Sequence, residues 1–260
     1  MVREGRVLVN DRCPQVDEEN LIYPEDRVVL DGHPLPSEKA HLTYLFHTPK
    51  SVTTSARDPD GKQDLSRWLK KLPPGLFPVG RLDRETTGAL LFTSDGDLAT
   101  ALLRPEHKTE KLYWLWLNES LAVDDTRLTP WLTGIPVGPH RATAKRVEVM
   151  RTTPDFTELH VVLVEGKNRQ IRRMARASDF RLLHLHRKAV GPIELGSLGP
   201  GETRQLGPSE VDDLWTAAGG RTRVLEKQLF ALRRRAQAMR EAGTTDLRLE
   251  RFLESTVHIQ

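Results

Sequence analysis

One carboxylate in this chain stands where chemistry on an anion could be done. Asp83 lies in the polar run Gly80-Arg81-Leu82-Asp83-Arg84-Glu85-Thr86-Thr87-Gly88, which leads at once into the apolar stretch Ala89–Phe92. A carboxylate flanked by arginines is held ionised, which suits a nucleophile or an ionic anchor better than a general acid. Glu85 is the only other acid in the turn. That points to single-carboxylate chemistry and not to the paired acids of a glycosidase. Read by itself, the run is also compatible with an Asp–Arg pair at the surface.

Two further groups could serve such an acid. In Lys111-Leu112-Tyr113, strand alternation puts Lys111 and Tyr113 on one face, where a ring can stack on a base while a cation neutralises phosphate. A tyrosine so placed is also a common core residue. In Glu165-Gly166-Lys167-Asn168-Arg169-Gln170-Ile171-Arg172-Arg173-Met174, a helix starting near Asn168 would put Arg169, Arg172 and Arg173 on one face. Its N-terminus would offer backbone N–H groups to a phosphate, and the arginine forks could hold a carboxylate or a phosphate. Gln170 could bond a base edge or a neighbouring loop. A plain basic helix is the competing reading. His184 and His186 alternate on a strand with no carboxylate near them in sequence, so no metal site is expected. Neither Gly-x-x-x-x-Gly-Lys-Ser/Thr nor Gly-x-Gly-x-x-Gly occurs.

The charge distribution fits a polyanionic partner. Residues 1–60 carry 7 Lys/Arg against 11 Asp/Glu, whereas residues 166–190 carry 8 against Asp179 alone. Residues 221–240 add 7 more basic residues against Glu226. A chain of 260 residues, 38% of them hydrophobic, can bury a sizeable core. No apolar run is long enough to span a membrane, and the start lacks a basic-then-apolar signal, so a cytoplasmic protein is expected. The single cysteine, Cys13, reads as a free thiol.

Several elements must position these groups. Arg6–Val9 and Asp26–Leu30 read as short strands, with Asp31-Gly32 as a turn. Pro34–Ala40 reads as a link, Leu42–Phe46 as a strand and Asp58-Pro59-Asp60-Gly61 as a turn. Leu65, Trp68, Leu69 and Leu72 have helical spacing, stopped by Pro73-Pro74-Gly75. Ala89–Thr93 reads as a strand, and Ser94-Asp95-Gly96-Asp97 offers capping oxygens to a helix over Leu98–Leu103. Lys111–Leu117 is apolar on both faces and should lie inside a sheet. Arg141–Met150, Phe156–Val164 and Arg181–Val190 read as strands, Asn168–Ala177 and Leu225–Met239 as helices.

In this order the three segments resemble the RNA pseudouridine synthases, nearest the branch that holds the bacterial small-subunit and large-subunit ribosomal RNA enzymes. Gly80-Arg81-Leu82-Asp83 with Thr87-Gly88-Ala89-Leu90-Leu91 is similar to the catalytic-aspartate motif, Lys111-Leu112-Tyr113 to the Lys-x-Tyr element, and Glu165–Met174 to the late basic motif. The resemblance spans about residues 42–214. His47-Thr48-Pro49-Lys50 departs from the Asn-Lys-Pro of many relatives. Residues 3–35 resemble the second half of an S4-like RNA-binding domain.

The resemblance implies an α/β (α+β) fold with a central, mostly antiparallel mixed sheet. With the basic, helical composition of the tail it gives three expected parts: a truncated S4-like element over 1–38, a catalytic domain over 39–218 and a basic helical extension over 219–260. Asp83 would be the nucleophile, Tyr113 would stack on the uracil, Arg172 would pair with Asp83 and Ile171 would line the pocket. Arg81, Lys111, Lys167, Asn168, Arg169, Gln170, Arg173 and Arg187 would bind RNA, with the stretch from Lys167 to Lys188 on the backbone. The target base would be flipped out of its stack. No metal or cofactor is needed for the isomerisation. The expected partner is ribosomal RNA, that of the large subunit first, or a ribosome-assembly intermediate, bound by a monomer. A non-catalytic RNA-binding or assembly factor, or the same reaction on transfer RNA, are the competing readings.

Overall fold

The computed structural model describes residues 4–14, 27–34, 41–54, 64–220, 232–244 and 249. The chain divides into two compact units, residues 1–41 and 42–260. The expected turn at Asp58–Gly61, most of the Pro34–Ala40 link and the first part of the C-terminal helix lie outside the described residues. The second part, 232–241, is helical.

In the first unit β1 (Val7–Val9) pairs antiparallel with β2 (Val28–Leu30), which turns back into β3 (His33–Pro34). Asp31 and Gly32 both take positive φ, 52° and 78°, as a two-residue hairpin turn between right-twisted strands requires. Arg6 grips the turn by donating from Nε and Nη2 to the two Asp31 carboxylate oxygens, each at 2.7 Å. Val29 is the one buried hydrophobic residue among those described in this unit, so its core is minimal.

The second unit is built on a nine-stranded sheet. Its strands are β4 (Thr43–Thr48), β5 (Phe77–Pro78), β6 (Thr87–Thr93), β7 (Lys111–Leu117), β10 (Arg146–Thr152), β11 (Thr157–Leu163), β12 (Leu182–Val190), β13 (Ile193–Glu194) and β14 (Thr203–Gln205). The order is β10-β11-β7-β12-β6-β4-β14, with β13 on β12 and β5 on β6. Only β12 and β6 run parallel; every other pair is antiparallel, as expected. A separate hairpin, β8 (Ile135–Val137) and β9 (His140–Ala142), precedes β10. The single strand expected over Arg141–Met150 is therefore two, because the chain leaves the hairpin before it joins the sheet.

The helices are α1 (Ser66–Leu69), α2 (Gly96–Leu103), α3 (Thr129–Thr133), α4 (Gln170–Ala177) and α5 (Pro208–Ala217). The continuous apolar run of β6 is buried on both faces, the behaviour of a strand covered on two sides. Ala89 and Leu91 pack with Leu98 and Leu102 of α2 and Leu214 of α5, while Leu90 and Phe92 pack with Phe46 and Leu65. The Asp95 carboxylate caps α2 by accepting from the N–H groups of Asp97 and Leu98, at 3.0 and 2.9 Å. A third cluster packs Ile171 and Met174 of α4 and Trp131 of α3 under Leu115, Leu159 and Leu185 of the sheet. The functional residues stand where this cluster gives way to the one under α2.

Candidate active site

Asp83 is held by a turn that is clamped from two sides. Gly80 enters it with φ 74°, and the Thr86 N–H donates to the Asp83 carbonyl at 2.8 Å, closing the turn just before β6. Leu82 is buried, and both of its backbone groups are bound by one hydroxyl. Thr54 Oγ1 donates to the Leu82 carbonyl at 2.7 Å and accepts from the Leu82 N–H at 2.9 Å. Ser51 N–H donates to the Arg84 carbonyl at 2.9 Å, and Arg84 Nε returns a bond to the Ser51 carbonyl at 3.2 Å.

From the opposite side Arg172 reaches across from α4. Its Nη2 donates to the Glu85 carbonyl at 2.9 Å and to Thr86 Oγ1 at 3.2 Å. Its Nε lies 3.8 Å from Asp83 Oδ2 and its Nη1 3.4 Å from Glu85 Oε2. The sequence expectation of a simple Asp83–Arg172 pair is thus only part of the geometry. The guanidinium spends its hydrogen bonds on the turn's backbone and hydroxyl, and meets Asp83 as an ion-pair contact. Nε itself is buried without a hydrogen-bond partner. Burial pulls the Arg172 pKa below its usual value, Glu85 opposes this, Arg169 adds to it, and Asp83 opposes it. The side chains of Arg172 and Asp83 are 17% and 27% exposed, so the carboxylate is reachable but sheltered.

This turn forms one wall of a cleft of about 540 Å³. Lys111, Tyr113, Leu185 and Arg187 from β7 and β12 line it, as do Arg81 at its rim and Gly166 to Ile171 from the loop entering α4. Lys111 donates from Nζ to the Thr109 carbonyl at 2.9 Å. Burial first, and the charge of Arg187 second, push its ammonium down to about 8. Tyr113 is half-buried, with one edge packed on the cluster under α4.

The basic loop differs from the expectation. The helix starts at Gln170, two residues later than the sequence suggested, because Arg169 takes the left-handed conformation at φ 51°. Arg169 is therefore not on a helical face with Arg172; its Nη2 sits 3.5 Å from Glu85 Oε2. Gln170 is 4% exposed and locks the loop in place of reading a base. Its Nε2 donates to the Thr143 carbonyl at 3.1 Å and to Glu165 Oε1 at 2.8 Å, and its Oε1 accepts from the Lys167 N–H at 3.1 Å. Lys167 is tied to the Arg141 carbonyl at 2.6 Å and to Glu165 Oε2 at 2.9 Å. Arg173 does not line the cleft and donates to Asn168 Oδ1 at 3.1 Å. Ile171 lines the cleft and is buried. Arg187 was expected on the RNA backbone, but it is 5% exposed at the floor, because β12 lies between β7 and β6 and this face points inward.

Sequence reasoning missed Thr54, Ser51 and the bridging carboxylate of Glu85. It also missed why Gly88 is needed. A Cβ there would stand 2.2 Å from the Arg187 carbonyl oxygen, across the parallel pairing of β6 and β12. His186 accepts or donates through Nδ1 with Thr87 Oγ1 at 2.8 Å, and burial, then His47, His184 and Lys188, lower its pKa to about 4. Among the described residues no cluster of three or more His, Cys, Asp or Glu is arranged to hold a metal, and no helix is long and apolar enough to cross a membrane.

The family model for RNA pseudouridylate synthase matches residues 42–177, the stretch that carries the Asp83 turn, Tyr113 and Arg172. The chain belongs to the RNA pseudouridine synthases. An uncharacterised RNA pseudouridine synthase of Aquifex aeolicus is 33% identical over 219 residues, 84% of this chain and 87% of that one. The ribosomal small subunit pseudouridine synthase A of Escherichia coli is 31% identical, over 75% of this chain and 82% of its own. The ribosomal large subunit pseudouridine synthase B of Bacillus subtilis is 28% identical, over 76% and 80%. A crystal structure of a pseudouridylate synthase shares the fold, with a TM-score of 0.61 over 82% of this chain and 90% of that one, at 24% identity. The protein is thus an isomerase that forms pseudouridine in RNA.

Proposed function

We propose that this pseudouridine synthase acts on ribosomal RNA, that of the large subunit first, with Asp83 as the nucleophile. The observation that carries the reading is the Asp83 carboxylate, clamped in its turn and 3.8 Å from the Arg172 guanidinium, at a cleft that also contains Tyr113. A uridine flipped out of its stack enters the cleft, and Tyr113 packs on its base. Arg172 pairs with Asp83 and holds the turn at the reacting ribosyl carbon. Arg81 and Arg169, exposed at the rim, take the RNA backbone, so binding weakens with salt. The relatives named for ribosomal subunits support the RNA class, and the run Asn168–Met174 supports the large subunit. The first unit, as an S4-like element, and the basic segment after residue 219 add RNA contacts to a monomeric, cytoplasmic enzyme. Pseudouridine mapping of total RNA with and without the gene tests this. One large-subunit uridine should lose its modification; loss confined to small-subunit or transfer RNA would overturn the substrate assignment.

A further inference from the structure

Among the described residues, two cations in the cleft are left without an answering negative charge. Arg187 and Tyr113 are cross-strand partners on β12 and β7, and both line the cleft. Arg187 is 5% exposed, and its Nε donates to the Ala89 carbonyl at 2.6 Å. Its two Nη groups have no hydrogen-bond partner among the described residues. Lys111, two residues from Tyr113, lines the same cleft and, among the described residues, bonds only the Thr109 carbonyl. Among the described residues neither cation forms an ion pair with a carboxylate, Asp83 included. A buried charge with no counter-ion is costly, and here two such charges repel each other. Burial and Arg187 together lower the Lys111 pKa to about 8. The arrangement is one that an incoming anion would relieve.

We propose that Arg187, with Lys111 beside it, binds the uracil anion set free when the glycosidic bond of the target uridine breaks. The inference rests on the nucleophilic reading of Asp83 given above. When the N1–C1′ bond breaks, its electron pair leaves with the base, which then carries a negative charge spread over N1, O2 and O4. The Asp83 carboxylate takes the ribosyl C1′ as an ester. After the base turns, C5 attacks C1′ and the carboxylate leaves. C5 then gives up its proton and N1 gains one, so product and substrate have the same atoms. The charge thus develops on the base, in the cleft that Tyr113 and Arg187 both line. Donors fixed at a developing charge stabilise the transition state more than the ground state. A planar guanidinium fork matches an edge with two adjacent acceptors. Phosphates stay with the chain at the rim.

The test uses the whole chain with ribosomal RNA, comparing wild type with Arg187→Met and Lys111→Met in single turnovers. Expected are rate losses of about 100-fold and about 10-fold, with RNA Kd unchanged within about threefold and the same salt dependence of binding. RNA carrying 5-fluorouridine at the target, whose base leaves as a more stable anion, should narrow the wild-type-to-variant gap in glycosidic cleavage about tenfold. Rates within about threefold of wild type would overturn the proposal. So would weaker binding with a salt slope smaller by about one at an unchanged saturated rate, which would assign a phosphate instead. If Arg187→Met does not fold, Lys111→Met, at a partly exposed position, decides by the same criteria. Wild-type protein that is active, with both variants unaffected, defeats this inference alone. A wild type that remains active when Asp83 is replaced by Asn defeats the nucleophile reading beneath it.

Discussion

Replacing Thr54 by Val should disable the enzyme through the turn that holds Asp83. The hydroxyl is buried, and it serves both backbone groups of Leu82, at 2.7 and 2.9 Å, one residue before Asp83. Valine keeps the shape and removes both bonds. Each bond contributes about 1 kcal/mol net, but stranding a buried N–H and a buried C=O together raises the loss to about 2–4 kcal/mol. The turn can recover part of this only by moving toward water, which moves Asp83 with it. A displacement of about 1 Å in a reacting group costs about 100-fold in rate. Urea unfolding and single-turnover pseudouridine formation on the same preparations measure the two effects, with RNA Kd expected to stay within about twofold. Thr54→Ser, which keeps the hydroxyl, should restore most of both. Stability within about 0.5 kcal/mol of wild type, together with an unaltered rate, would refute the clamp.

Three other outcomes follow from the same geometry. Gly88→Ala places a Cβ 2.2 Å from the Arg187 carbonyl at φ 112°, so it should cost more than about 4 kcal/mol and sharply lower the soluble yield and Tm. Arg172→Lys keeps the charge but not the fork that serves the Glu85 carbonyl and Thr86 hydroxyl at once, and should slow single turnover by about 100-fold. Lys111 has a folded-state pKa of about 8, below that of the unfolded chain. Below pH 8 the folded state must bury an ammonium, and that penalty is relieved as pH rises from 8 toward 10.5, the unfolded value. Lys111→Met should therefore be more stable than wild type at pH 7, by on the order of 2 kcal/mol, with the difference shrinking by pH 10 in urea titrations.

The candidate groups were legible in the sequence because their types and spacing are themselves the signal. Asp83 among arginines, Lys111 and Tyr113 two apart, and the limits of β7 all follow from local patterns, and the structure brings these residues to one cleft. What positions them was not legible. Thr54 acts on Leu82 across 28 residues, and no periodicity links them. The start of α4 was misplaced because a left-handed Arg169 and the side chain of Gln170 bonding back to Lys167 set it, and helical propensity sees neither. Arg187 reads as one more cation in a basic run. Its burial depends on β12 being enclosed between β7 and a parallel β6, a long-range arrangement. The same enclosure explains Gly88, whose missing side chain lets the β12 backbone approach.

The most direct test of the account is to delete the gene and complement it with wild-type or Asp83→Asn protein, mapping pseudouridine across all RNA. One ribosomal site should disappear on deletion and return with wild type, while Asp83→Asn, still binding RNA with a Kd within about threefold, should leave it as uridine. A site restored by Asp83→Asn would contradict it.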